Sequence, residues 1–326
     1  MEPLSFENKI DVSAVYNTMG KVRQELAKVI VGQEEAVEFL LAGVLADGHI
    51  LLEGVPGVAK TLTAKLLARC IDVDFSRIQF TPDLMPSDVI GTNIYNPKTT
   101  EFEFRKGPVF GNIILIDEIN RAPAKTQAAL FEVMEERKIT IDGNSFAMEP
   151  PFLVIATQNP VEHEGTYQLP EAQLDRFAFK LTVHYPELED EVEILRRHQS
   201  NTTMHELIGQ VQKVLSREEL SNLRGLVRSV KVDENIMKYI AQIINMTRDN
   251  PDLYLGASPR ASVTLLNTSK ALATLRGRDF VTPDDVVHLA ASVLRHRIQL
   301  TPEKEMEGAT PEDIIEQIIK DIEVPR

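Results

Sequence analysis

From residue 11 to residue 30 the apolar positions Val12, Val15, Met19, Val22, Leu26 and Val29 recur every third or fourth residue, the stripe of an amphipathic helix. The pattern then changes. Between residues 49 and 181, short apolar runs bounded by glycine, proline and aspartate alternate with helical stretches; the runs are 49–52, 113–116, 152–156 and 177–181. Runs that are apolar throughout suit strands buried on both faces, as in a parallel sheet covered by helices. Two stretches interrupt this rhythm with hairpin signals. One is 90–104, where Asn96-Pro97-Lys98-Thr99-Thr100 separates two strand-like pieces; the other is 138–148, with Gly143-Asn144 at the turn.

After Tyr185-Pro186 helices take over. Leu220, Leu223, Val227 and Val230 form one apolar face, and Ile236, Tyr239, Ile240, Ile243 and Ile244 another. Thr282-Pro283-Asp284-Asp285 and Thr310-Pro311-Glu312-Asp313 each offer a hydroxyl cap, a proline at the first helical position and an acid three residues on, the marks of a helix start. The expected division lies near residue 186. It separates an α/β core over 1–186, with its N-terminal helix and two hairpin insertions, from a smaller all-α domain over 187–326.

Charge and cysteine content narrow the function classes. Lysine and arginine number 35 against 49 acids, a net charge of -14, so the chain as a whole should repel phosphate backbones, which counts against a nucleic-acid binder but leaves room for a local basic pore in a ring. The densest basic clusters, Arg196-Arg197-His198 and Arg276-Gly277-Arg278, are short and read as solvated helix faces. Cys70 is the only cysteine; it can form neither an internal disulfide nor a CxxC metal site, which points to a reducing compartment. The longest apolar run, 39–46, is far short of the roughly 20 residues that cross a bilayer. The N-terminus carries Glu2 and Glu7 and no apolar signal core. A cytoplasmic location without a membrane span is the expectation.

The chemistry concentrates in two places. Gly54-Val55-Pro56-Gly57-Val58-Ala59-Lys60-Thr61 follows a predicted strand and opens a helix expected over 61–70, the setting of a phosphate-binding loop. Phosphates require backbone N–H groups converging at a helix N-terminus, where the dipole also favours negative charge. Gly54 and Gly57 let the backbone wrap closely, Lys60 would neutralise the β- and γ-phosphates of ATP, and the Thr61 hydroxyl would bind Mg²⁺. Ala59 departs from the usual glycine; its methyl costs little if the residue already lies in the right-handed helical region. Taken alone, the loop could be a Gly/Pro turn with a solvated lysine.

The second place is Asn112-Ile113-Ile114-Leu115-Ile116-Asp117-Glu118, an apolar strand ending in two acids. Acids at the end of a buried strand are costly unless something cationic meets them. In a nucleoside triphosphatase Asp117 orients the Mg²⁺ shell and Glu118 polarises the attacking water. Together with the loop, they make two matched half-sites.

These residues resemble the MoxR family of AAA+ ATPases, with GVPGVAKT, IDEINRAPAK, ATQNP, LPEAQLDRF and GASPRA in order over most of the chain. The family's loop commonly has alanine before the lysine. The resemblance implies a AAA+ P-loop NTPase core with a parallel sheet between helices, followed by a helical lid. It also implies that the loop residues and Leu62 bind ATP, and that Val31-Gly32-Gln33 lines the adenine pocket. By the same resemblance Asn159 matches sensor 1, Arg176 the arginine finger reaching a neighbouring subunit, and Arg260 sensor 2, with Ser258 as cap of its helix and its action in cis or in trans open. Arg176 could instead pair with Asp175 or Glu171. Arg121 could be an interface contact or a surface charge.

The hairpins match insertions that face the pore or the substrate side. The implied assembly is a homo-oligomeric ring, a hexamer by resemblance. The implied work is remodelling of a protein substrate, including maturation or metal-cofactor insertion, beside a partner with a von Willebrand factor A domain. A nucleic-acid motor would show basic and aromatic hairpins, whereas the first hairpin mixes Lys98, Arg105 and Lys106 with Glu101 and Glu103. A non-catalytic nucleotide switch would lack Glu118 or Arg176. A magnesium-chelatase-type subunit shares the architecture and differs mainly in its partners.

Overall fold

The computed structural model describes residues 10–55, 57–159, 167–199 and 204–325, with the side chains of 198, 204 and 205 left aside. The predicted amphipathic helix is α1 (Ser13–Ala27), which buries Val15, Met19, Val22 and Leu26. The apolar run after it belongs to α2 (Glu34–Leu45). The core then alternates β1 (His49–Gly54), α3 (Lys60–Cys70), β2 (Phe75–Gln79), α4 (Pro86–Ile90), β3 (Gly91–Asn96), β4 (Glu101–Lys106) and β5 (Ile113–Asp117). It continues with α5 (Ala124–Glu136), β6 (Lys138–Ile141), β7 (Asn144–Ala147), β8 (Leu153–Gln158), α6 (Glu171–Leu174) and β9 (Phe177–Val183).

Five of these strands form one sheet in the order β2-β5-β8-β1-β9, with every pair parallel. The strands predicted from apolar runs are β1, β5, β8 and β9. The fifth, β2, escaped that reading because it is an edge strand with partly exposed Phe75, Ser76, Arg77 and Gln79 around a buried Ile78. A strand covered on both faces reads as a continuous apolar run; the edge strand β9, buried at most of its positions, keeps such a run, and the more exposed edge strand β2 does not. Successive residues of β5 and β8 feed two different cores: Ile113, Leu115, Leu153 and Ile155 face one, Ile114, Ile116, Val154 and Ala156 the other.

Both hairpins are present, β3 with β4 and β6 with β7. The second turns through Asp142 and Gly143, both with positive φ, the geometry of a two-residue hairpin loop. The hairpins touch each other: the Phe104 and Phe146 rings lie 4.5 Å apart, and Asn93 donates to the Asp142 carboxylate.

The rest of the chain is α7 (Leu188–Gln199), α8 (Met204–Gln210), α9 (Arg217–Ser229), α10 (Glu234–Arg248), β10 (Leu253–Leu255), α11 (Pro259–Leu275), α12 (Pro283–Leu294), β11 (Gln299–Leu300), α13 (Pro302–Met306) and α14 (Pro311–Asp321). Helices dominate, with one short antiparallel pair, β10 and β11, among them. The Thr282 and Thr310 capping boxes form as expected. Beyond α12, Arg297 holds the edge strand β9: its Nε donates to Asp175 at 2.7 Å and its Nη2 to the Phe177 carbonyl at 2.6 Å. Guanidinium donors thus occupy backbone acceptors that an open sheet edge would expose.

His49 opens β1 in the buried core. The Val154 N–H donates to its Nδ1 at 3.0 Å, so its Nε2 carries the proton and donates to the Met134 carbonyl at 3.2 Å. Burial, with Arg137 nearby, lowers its pKa to about 4. The folded chain therefore refuses a proton that the unfolded chain accepts near 6.5. Stability is complete above about pH 6.5 and falls as the pH drops toward 4, by about 3 kcal/mol for this residue. His296, buried and also lowered, adds in the same direction. Urea unfolding at about pH 7 and about pH 4.5 checks this. His49→Gln can keep both hydrogen bonds without titrating, and is expected to lose less stability between the two pH values than the parent chain.

Candidate active site

The site forms where β1, β5 and β8 end, the side of a parallel sheet on which ligands bind. Gly54 closes β1 and packs on β9 so tightly that a Cβ there would come within 2.4 Å of the Val183 carbonyl. The loop then turns with Gly57 at φ 90° and Ala59 at φ 57°. Ala59 is thus left-handed, not right-handed, and its methyl carries a cost on the order of 1 kcal/mol. That turn starts α3: the Ala59 carbonyl accepts from the Thr63 N–H at 2.9 Å and the Thr63 hydroxyl at 3.1 Å. Pro56 lies outside the described residues.

Lys60 reaches back over the loop and donates to the Gly54 carbonyl at 2.6 Å. Half-burial pulls its ammonium below the ordinary lysine value, against the opposing pull of Asp117, Glu118 and Glu53. In an extended strand, neighbouring side chains would point to opposite faces. Glu118 escapes this because its backbone is left-handed, at φ 57° and ψ 55°, and both acids line one cavity. Thr157 pins the kink: its Oγ1 accepts from the Glu118 N–H at 3.0 Å and donates to Asp117 at 3.4 Å.

The cationic partner that the acid pair requires comes from β2 and from the turn after β5. Arg77 Nε meets Asp117 at 2.6 Å, Arg121 Nε meets Glu118 at 3.1 Å, and Gln79 donates to Glu118 at 2.9 Å. The cavity encloses about 370 Å³ and is lined by Gly57, Val58, Ala59, Lys60, Thr61 and Leu62, together with Arg77, Gln79, Asp117, Glu118, Thr157 and Asn159. Gln33 ties its segment to the loop by donating to the Val58 carbonyl at 2.9 Å. Val31 and Gly32 are half-buried outside that lining, and Gly32, at φ 70°, lies against Asp190 of α7. Val55 packs into the core beneath the loop.

Mg²⁺ fits this donor set. Thr61 and Asp117 line the same cavity and could offer it oxygen ligands, and the Arg77 guanidinium on Asp117 marks a position that takes positive charge. No cluster of three or more metal-ligating side chains occurs among the described residues.

Arg176 and Arg260 do not line this cavity. They meet elsewhere, on the one carboxylate of Glu135, at 3.3 Å and 2.6 Å. Neither Asp175 nor Glu171 is the partner of Arg176: Asp175 is taken by Arg297 and by the Ser258 hydroxyl, which donates to it at 2.8 Å. Ser258 stands at the cap position of α11 with Pro259 next, yet its side chain makes no capping bond. Sequence reading passed over Arg77, Gln79, Thr157 and Glu135. The first two carried a faint signal, polar residues alternating with Ile78 and Phe80; the others carried none.

Comparison with known proteins bears on the family and the fold. The profile of the ATPase family associated with various cellular activities matches residues 49–179, and that of the AAA lid domain matches residues 245–318. The chain is 44% identical over 324 residues to the chaperone MoxR1 of Mycobacterium tuberculosis, covering 97% of this chain and 84% of that protein. It is 47% identical to YeaC of Bacillus subtilis, over 94% of this chain and 95% of that protein. A candidate ATPase from Cytophaga hutchinsonii, solved by crystallography, superposes with a TM-score of 0.89 at 44% identity, over 97% of both chains. The chain belongs to the MoxR family of AAA+ ATPases.

Proposed function

We propose that this chain hydrolyses ATP with Mg²⁺ inside a closed ring of identical subunits, and that the cycle remodels partner proteins. One observation carries the reading: Lys60 and the Asp117–Glu118 pair share a cavity, while Arg176 and Arg260 sit together away from it. Two arginines that no nucleotide in their own subunit needs are suited to a neighbour's γ-phosphate, so hydrolysis would depend on assembly. For Arg260 this favours action in trans.

Within one subunit, residues 54–62 wrap the phosphates and Lys60 exchanges the Gly54 carbonyl for a phosphate oxygen. Thr61 and Asp117 hold the magnesium, which supplies positive charge against the triphosphate. Glu118, released from Gln79 and Arg121, polarises the attacking water, and Asn159 holds that water or the γ-phosphate. Val31, Gly32 and Gln33 receive the adenine. We divide the chain near residue 186, with 187–326 as the lid whose reorientation delivers the mechanical output. A relative bears the name chaperone, which supports protein substrates. A hexamer, a partner with a von Willebrand factor A domain, metal-cofactor insertion and a cytoplasmic setting complete the proposal.

Calorimetry with Mg-ATP tests the site. The parent chain is expected to bind, and Lys60→Ala to give no measurable heat under the same conditions. Equal affinity in the two proteins would remove the loop from the mechanism.

A further inference from the structure

Glu135 stands near the C-terminal end of α5 between two guanidiniums. Its Oε2 meets Arg176 Nε at 3.3 Å, and its Oε1 accepts from Arg260 Nη2 at 2.6 Å. One turn earlier on the same helix, the Phe131 ring lies 5.9 Å from the Arg176 guanidinium carbon. Ring and carboxylate, four residues apart, share one helix face, and both meet Arg176. Glu135 meets Arg176 at its Nε, and among the described residues no hydrogen bond is seen at the forked end of that guanidinium, which can serve another acceptor. Two guanidiniums brought this close repel; one shared carboxylate offsets the repulsion and still leaves the trio net positive.

We propose that Glu135 is a positioning residue that orients Arg176 and Arg260 as one unit for a neighbouring subunit's triphosphate. This rests on the reading of the two arginines as groups acting in trans. The three side chains keep 29%, 42% and 38% of their surface exposed, for Arg176, Arg260 and Glu135. Exposed ion pairs add little to folding stability, so the effect of Glu135 falls on the geometry of the pair. The placement on α5 adds a link: that helix starts just past Glu118 and Arg121 and carries Glu135 in its last turn, joining a subunit's own acid pair to the arginines it offers next door.

The test is a set of full-length rings carrying Glu135→Gln or Glu135→Ala, alone and in an Arg176→Ala/Arg260→Ala background. Steady-state ATPase and binding of a fluorescent ATP analogue are measured for each. Glu135→Ala is expected to lower kcat roughly tenfold, with KM and analogue affinity within about twofold. Glu135→Gln, able to accept from one arginine, is expected to fall between Glu135→Ala and the parent ring. In the double-arginine background neither substitution is expected to change the residual rate, because residues acting as a unit are not additive.

Full kcat in Glu135→Ala while each arginine variant is impaired would overturn the role of Glu135 and leave the trans reading standing. The same fractional loss in the double-arginine background would also overturn it, since Glu135 would then act elsewhere. Full turnover in Arg176→Ala and in Arg260→Ala would instead remove the trans reading itself.

Discussion

Arg176→Ala is expected to leave ATP binding within a few-fold of the parent chain and to lower turnover by about 10³- to 10⁵-fold, the range for arginine fingers in other NTPases. Binding should survive because Arg176 does not line its own subunit's cavity. Turnover should fall because charge spreading over a γ-phosphate would lose a donor that water cannot replace in a closed interface; at the upper end this is about 7 kcal/mol of transition-state stabilisation. The decisive measurement is a mixed ring. An Arg176→Ala subunit keeps an intact Lys60 and acid pair, and a Glu118→Gln subunit keeps an intact arginine. Where the second donates to the first, a working site is rebuilt. Random mixing in equal amounts is expected to restore roughly a quarter of parental sites, half of them owned by one variant and half of those served by the other. Mixed rings no more active than the two separate variants would place Arg176 in its own subunit's chemistry or outside it.

Glu118→Gln is expected to keep nucleotide affinity and to lower kcat by about 10²- to 10⁴-fold, the usual span for a lost general base. An amide of the same shape can still bond to Gln79, so the left-handed kink and its tie to Thr157 are expected to persist. It cannot draw a proton from water. Rapid-quench measurement of product from ATP already bound separates chemistry from release. A first turnover as fast as the parent's would assign Glu118 to product release and not to water activation.

The two predictions rest on features that differ in how visible they are along the chain. The loop before α3, the apolar strand β5 and its terminal acids are local, and their meaning follows from residues within a dozen positions of one another. The central strands are legible because burial on both faces demands an unbroken apolar run. Even there, backbone detail escapes: Ala59 and Glu118 both adopt φ 57°, conformations imposed by the loop and the strand end, not by alanine or glutamate as residue types.

What the sequence by itself determined is the class of chemistry and the elements that carry it: a lysine and a threonine at a helix start, two acids at a strand end, and a helical second half. Spacing along the chain encodes these because hydrogen-bonded periodicity and the helix dipole act over neighbouring residues. Tertiary structure alone decided that Arg77 and Gln79 of an edge strand face the acid pair, and that Glu135 gathers Arg176 and, from 125 residues along the chain, Arg260. Such meetings arise when α5, the start of β9 and the start of α11 pack together. No local pattern signals them, because a carboxylate on an exposed helix turn reads the same whether water or two guanidiniums surround it.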